Sequence, residues 1–323
     1  MAALFHSYTH GASATPLLND TIGERFDQAA ASWPDREAIV VCDQGVRLTF
    51  AELRRAVDSL AAGLLALGLQ PGDRLGMWSP NNAAWVITQY ATAKAGLILV
   101  NINPAYRVAE LEYALNKVEC RALITADRFK TSDYLAMLRE LAPELRHCAP
   151  GQLSAARLPH LTTLIHLADS DEPGMLCFDA VQRMGGPAEH ARLEELAALL
   201  QPDDPINIQF TSGTTGSPKA ATLTHHNILN NAFFIGERMG VTEGDRYCMP
   251  LPLYHCGGMV VGSLLGVLHG ATLIYPGEGF DTLATLHALH DERCTASKHS
   301  TPGSSVSARW ISVVRCGRRA AFN

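Results

Sequence analysis

The sequence predicts an α/β fold of layered sheets with flanking helices. Three observations lead there. Strand-like and helical segments alternate along most of the chain, two helix starts carry capping-box residues, and glycines stand where helices must stop. Such alternation implies parallel strands joined by crossover helices.

The elements follow in order. Thr21 and Glu24 have capping-box spacing and open a short helix that stops before Pro34. "EAIVVC" reads as a strand. In "TFAELRRAVDSLAAGLLALGLQPGD", Thr49 and Glu52 cap an amphipathic helix that Gly68 ends. "RLGMW" is a strand, "NNAAWVITQYATAKAG" a helix ending at Gly96, "LILVNINP" a strand, "VAELEYALNKVEC" a helix and "RALITA" a strand. From about Ala142 to Pro159 the prolines and Gly151 break any period, and the stretch reads as a surface connection. "LTTLIHL" restores a strand and "EELAALL" a helix. Beyond Pro202, "INIQF" and "AATLTH" are strands, and "HHNILNNAFFIGERMG" is a helix ending at Gly240. "RYCMPLPLYH", "GMVVGSLLGVLHG", "ATLIYP" and "DTLATLHALHDER" continue as strand, helix, strand and helix.

Composition sets the class. With 47% hydrophobic and 18% charged residues over 323 positions, the chain can bury a large core and favours two or more subdomains. The net charge is −6, and no basic stripe precedes the last residues, which argues against a nucleic-acid or anionic-membrane partner. Eight cysteines stand singly with no Cys-x-x-Cys pair, which disfavours zinc and suits the reduced thiols of a cytoplasmic protein. No signal peptide is expected, since no basic region precedes an apolar one near Met1. The most apolar runs, Leu60–Leu69 and Met259–Leu268, fall short of the roughly 18 residues that span a bilayer.

The chemistry concentrates in "QFTSGTTGSPKAATLTHHN", Gln209 to Asn227. Glycines let backbone N–H groups approach phosphate oxygens, and Ser and Thr add donors that rotate to fit. Lys219 adds a compact positive charge that Pro218 approaches stiffly. The implied ligand is a polyphosphate such as ATP. The loop is not a Walker A loop, because Lys219 stands three residues beyond Gly216 and runs into a strand, not a helix.

"TSGTTGSPKAATLTHHN" resembles the signature T-S-G-S/T-T-G-x-P-K-G of the adenylate-forming superfamily, departing only at Ala220, where Gly is usual. Ala at that step, together with "PLPLYHCGGM", resembles the medium-chain and related fatty acyl-CoA synthetases, and the resemblance runs from about Leu17 to Thr295. It implies ATP-dependent activation of a carboxylic acid as an acyl-adenylate, then transfer to coenzyme A, with Mg²⁺ accompanying ATP. It also implies that Thr211, Ser212, Gly213, Thr214, Thr215, Gly216, Ser217, Pro218 and Lys219 cradle the phosphates. Thr214 and Lys219 would act in catalysis, with Thr215 toward the metal. His255 would border the acyl pocket, where Gly257 and Gly258 open room; the competing reading of His255 is a satisfied core histidine capping a helix start. His225 and His226 lack a metal-binding spacing, and His225 is expected to begin the next helix. The partners implied are the small molecules fatty acid, ATP and coenzyme A.

The resemblance implies the N-terminal part of the superfamily's large domain. The expected division is a first α/β subdomain at 1–201, a partial second subdomain at 202–295 bearing the phosphate loop, and an irregular tail at 296–323. That tail, rich in serine and arginine, does not continue into the family's G-V-P-T segment and resembles out-of-frame translation. The later Y-G-x-T-E motif, the ribose-binding aspartate and the C-terminal lid have no match. The chain as it stands is therefore expected to be inactive and poorly soluble, with strands such as "ATLIYP" left with an open edge or an uncovered apolar face. Alternatives are a non-catalytic remnant and a ligase for another carboxylic acid.

Overall fold

In the computed structural model the described residues are 14–169, 171–211 and 217–298, with the backbone of 313–315. Helix α1 (Ile22–Ser32) leads into strands β1 (Glu37–Val41) and β2 (Val46–Thr49), helix α2 (Phe50–Ala66), β3 (Arg74–Trp78), α3 (Ala83–Ala95), β4 (Ile98–Asn101), α4 (Val108–Lys117) and β5 (Ala122–Thr125). A short ladder β6 (Arg128–Phe129) and β7 (Ser132–Asp133) precedes α5 (Tyr134–Leu141). Then come β8 (Thr163–His166), β9 (Leu176–Cys177), α6 (Phe178–Gln182), α7 (Pro187–Leu199), β10 (Pro205–Thr211), β11 (Lys219–Thr224), α8 (His225–Met239) and β12 (Arg246–Cys248). One helical run follows, made of α9 (Cys256–Gly258), a π-helical stretch Met259–Leu264 and α10 (Leu265–Leu268). The last elements are β13 (Thr272–Tyr275), α11 (Thr282–Asp291), β14 (Ala296–Lys298) and β15 (Val313–Arg315).

Local chemistry sets the helix ends. The Thr21 hydroxyl accepts from the Glu24 N–H at 3.2 Å while the Glu24 carboxylate accepts from the Thr21 N–H at 2.7 Å, and Thr49 with Glu52 repeats the arrangement. Gly96 and Gly240 cap α3 and α8 in the left-handed conformation, as a helix C-terminus favours.

Two sheets form, ordered β15-β14-β12-β13-β1-β2 and β11-β10-β4-β3-β5-β8-β9. Within the second, β10, β4, β3, β5, β8 and β9 run parallel and β11 antiparallel. Strand side chains alternate faces, and both faces are apolar. Ile39 and Val41 join Leu75, Met77, Leu99 and Ile124 in a central core with α1, α2, α3, α8 and α10, so these helices lie between the sheets. Val100, Leu123, Leu164 and Ile208 face the other way onto α4 and α5. Val40, Cys248 and Ile274 form a third, small core under α11.

Several expectations change. The sheets do not follow the division at Pro202: β1 and β2 pair into the sheet of β12, β13 and β14, while β10 and β11 complete the other. "ATLIYP" is not an edge, because β13 pairs with β1 on one side and β12 on the other. Residues 296–298, expected within the irregular tail, form β14, which pairs with Tyr247 and Cys248 and with the backbone of β15, and the rest of that expected tail lies outside the described residues. The connection 142–159 is not only surface: Leu145, Leu153, Ala155 and Leu158 are buried behind the sheet. "RYCMPLPLYH" is a strand only as far as Cys248, since Pro250 and Pro252 have no N–H to give a ladder.

Candidate active site

The hydroxyl- and glycine-rich loop is a hairpin connection at the carboxyl end of β10. Strand pairing closes it with Thr211 opposite Lys219, Phe210 opposite Ala220 and Gln209 opposite Ala221. Ser212, Gly213, Thr214, Thr215 and Gly216 lie outside the described residues. Their flanks are placed: Thr211, Ser217 and Lys219 are exposed, and Pro218 is half-buried. The Tyr113 hydroxyl donates to the Pro218 carbonyl at 3.1 Å, tying the loop exit to α4. No described carboxylate forms an ion pair with Lys219. Ala220 sits in the extended ladder, half-buried against the core behind the sheet. That position makes no demand for glycine's extra conformations, so the departure from the signature costs no strain.

The second motif, Pro250–Met259, turns from β12 into the helical run. His255 caps that run, its Nδ1 accepting from the Gly257 N–H at 3.1 Å and lying 3.5 Å from the Cys256 Sγ. It is exposed, so it is a helix cap but not a core histidine. Accepting at Nδ1 leaves Nε2 to carry the proton of the neutral ring. Burial pushes the Tyr254 phenol up, which keeps it neutral. Gly257 and Gly258 differ. A Cβ on Gly257 would meet only the His255 Nδ1 and Leu251 Cδ1, at 3.4 Å each, whereas one on Gly258 would lie 2.3 Å from the Pro252 carbonyl oxygen. In the direction a side chain would take, the space at Gly258 is filled by the chain's own backbone. His225 begins α8 as expected, fully buried, its Nδ1 accepting from the Ile22 N–H at 3.0 Å. Burial holds its pKa down to about 4.

The first motif leaves the carboxyl end of β10, and the second, which follows β12 of the other sheet, reaches the carboxyl end of β4, the parallel neighbour of β10; ligands of open α/β sheets bind at such strand ends. Gln209 of β10 is in register with Asn101 of β4. The Asn101 Nδ2 donates to the Tyr254 carbonyl at 2.9 Å, next to His255. Asn81, in the loop after β3, donates to the Leu251 carbonyl at 3.0 Å and accepts from the Leu253 N–H at 2.7 Å. Reasoning from sequence missed Asn81, Asn101, Asn207 and Tyr113. The available signal was an asparagine interrupting each of the apolar strands "LILVNINP" and "INIQF". Among the described residues no group of three His, Cys, Asp or Glu side chains is placed to hold a metal ion, and no helix is long and apolar enough to cross a membrane.

A family model described as AMP-binding enzyme matches residues 26–302. The chain is 48% identical over 291 residues to the medium-chain acyl-CoA ligase ACSF2, mitochondrial, of Danio rerio, covering 90% of this chain and 48% of that protein. It is 47% identical over 294 residues to the Homo sapiens protein of the same name, again covering 90% and 48%. It thus spans about half the length of the curated relatives it matches. Among solved structures, the anthranilate CoA ligase AuaEII in complex with anthranoyl-AMP aligns with a TM-score of 0.74 at 21% identity, over 88% of this chain and 50% of that one. A long-chain-fatty-acid-CoA ligase (FadD1) from Archaeoglobus fulgidus aligns with a TM-score of 0.72 at 21% identity, over 90% and 54%. Both structural likenesses speak to the fold.

Proposed function

Since the chain belongs to the AMP-binding enzyme family, we propose that it supplies the acid-activating half-site of an ATP-dependent acyl-CoA synthetase for medium-to-long fatty acids. One observation carries this reading: the Pro-Leu-Tyr-His turn, which follows β12 of the other sheet, is bonded to Asn101 at the end of β4, the parallel neighbour of the β10 strand that leads into the phosphate-type hairpin. The chemistry needs that proximity. A carboxylate must attack an α-phosphate that is itself anionic, so donors and cations must be fixed along the phosphates beforehand.

In this reading the backbone and hydroxyls of Thr211 to Ser217 hold the β- and γ-phosphates and then the leaving pyrophosphate, while Lys219 balances their charge. Thr214 and Lys219 take part in catalysis. Mg²⁺ would neutralise phosphate charge, held by the nucleotide with Thr215 as the chain's own contribution. His255 borders the acyl group, and Gly257 and Gly258, which carry no side chains, leave room there. Coenzyme A is the acyl acceptor. A cytoplasmic setting belongs to the same reading, supported by the scattered single cysteines; "mitochondrial" is printed for the vertebrate relatives and is said of them.

Residues 1–323 alone are proposed not to turn over, because no segment of them matches the Y-G-x-T-E motif or the ribose-binding aspartate. The test has two arms. Residues 1–295 joined to the remaining half of the zebrafish ligase should form acyl-CoA from fatty acids in preference to benzoates and amino acids; the reverse preference refutes the acid class. Residues 1–323 by themselves should show no acid-dependent pyrophosphate release, and a rate of about 1 s⁻¹ or more, ordinary for an enzyme, refutes that part.

A further inference from the structure

The turn from Pro250 to Gly258 has no sheet ladder to fix it: β12 stops at Cys248, and Pro250 and Pro252 carry no N–H. Besides its own backbone bond from the His255 N–H to the Pro252 carbonyl at 3.2 Å, it is held by two asparagines at the strand ends of the other sheet. Asn81 grips the backbone on both sides of Pro252, at Leu251 and Leu253. Asn101, 2% exposed, holds the Tyr254 carbonyl. The two grips differ in what stands behind them. Asn81 is anchored through its own N–H, which donates to the Glu278 carbonyl at 3.0 Å, away from the phosphate hairpin. Asn101 is anchored to the hairpin strand itself. Its Oδ1 accepts from the Asn207 Nδ2 at 2.8 Å, and the same Nδ2 donates to the Leu99 carbonyl at 2.9 Å. Asn207 lies on β10, the strand that runs into the loop at Ser212.

We propose that Asn101 is a positioning residue that couples occupancy of the phosphate hairpin to the placement of His255, through the relay Asn207, Asn101 and the Tyr254 carbonyl. The proposal rests on the reading that both motifs serve one reaction. The position needs an acceptor toward Asn207 and a donor toward Tyr254 at once, and a neutral amide supplies both at the two separate atoms the geometry uses. An aspartate would set a carboxylate against a carbonyl, and a leucine would leave two buried polar groups unpaired. Both asparagines are 2% exposed, so water offers no easy substitute for a broken bond. The relay is also unsaturated: the Asn207 Oδ1 is buried and has no partner among the described residues.

The test is hydrogen exchange on the full 323-residue chain, with magnesium pyrophosphate as the probe. In the wild type, pyrophosphate should slow exchange both at residues 210–222 and at residues 253–259. Asn101→Ala should keep the first protection and weaken the second about fivefold or more, in the ordinary range of coupling between sites. Asn81→Ala should speed exchange at Leu253 in the absence of probe but keep the response to it. If Asn101→Ala does not fold by circular dichroism, Asn101→Ser, which retains a hydroxyl donor, takes its place and should lose part of the response. Protection at 210–222 without any at 253–259, an unchanged response in the Asn101 variant, or equal loss in both variants overturns the coupling while leaving the functional reading intact. No protection at 210–222 in the wild type overturns that reading, and the coupling with it.

Discussion

Gly257 and Gly258 open the same helical run, and replacing each with alanine separates a demand for space from a preference for glycine. Gly258 has φ −84° and ψ −49°, an ordinary right-handed backbone that alanine adopts freely. Its constraint is distance. An added Cβ would lie 2.3 Å from the Pro252 oxygen, 2.6 Å from the Pro252 carbonyl carbon and 2.9 Å from the Leu253 Cα, all of them backbone atoms. That backbone cannot swing aside without breaking the Asn81 bonds to Leu251 and Leu253. Overpacking of this kind costs about 1–3 kcal/mol, against which alanine's helix propensity returns up to about 1 kcal/mol. At Gly257 the nearest atoms stand at ordinary contact distance, so only the propensity gain remains. The two variants should therefore differ by about 2 kcal/mol, with Gly258→Ala the less stable. Urea unfolding of the 323-residue chain reads this as a lower midpoint for Gly258→Ala at unchanged slope. Coincident midpoints, or a Gly257→Ala variant as unstable as Gly258→Ala, would refute the packing argument.

Lys219→Ala, made in the chimera with the zebrafish ligase, should slow acid-dependent pyrophosphate release by roughly 10²–10³, comparable to losing an oxyanion donor. The unfolding midpoint should not move, because Lys219 is exposed; an unchanged rate removes it from catalysis. His225→Gln should flatten the pH dependence of stability. The buried ring is held neutral with a pKa near 4, so its stabilising contribution is present above about pH 6.5 and is lost as pH falls toward 4, on the order of 3 kcal/mol between wild type and variant. Parallel unfolding curves for the two across that window would contradict the assignment. Thr49→Ala removes an acceptor for the Glu52 N–H and should lower stability by about 1 kcal/mol in urea, whereas a loss near zero would mean the cap is dispensable.

Much of the scaffold was legible because its signals are local. Both capping boxes, the Gly96 and Gly240 stops and the strands "RLGMW", "RALITA" and "LTTLIHL" appear where periodicity puts them. What local signals do not carry is pairing. Nothing in "EAIVVC" says that it lies beside "ATLIYP", more than two hundred residues away, yet Ile39 pairs with Leu273. The division at Pro202 followed the order of the chain, and the sheets do not. Helix α5, which Asp133 caps through the Ala136 N–H at 2.9 Å, is not among the elements read from the sequence, which passed from "RALITA" to the irregular stretch from Ala142.

The misread segments of the candidate site share a physical cause. "RYCMPLPLYH" looked like one strand because its apolar residues suit a sheet, but two prolines deny it the ladder and the backbone must find partners elsewhere. Asn101, which interrupts the apolar strand "LILVNINP", is one of those partners, and Asn207 in "INIQF" holds Asn101 in place. A turn without a ladder and a strand that carries a buried amide are each unfavourable alone, and the bond from Asn101 to the Tyr254 carbonyl helps to satisfy both. Local rules break together at the place where the two motifs meet. This is the pattern expected where a chain gives up local consistency to hold reacting groups in position.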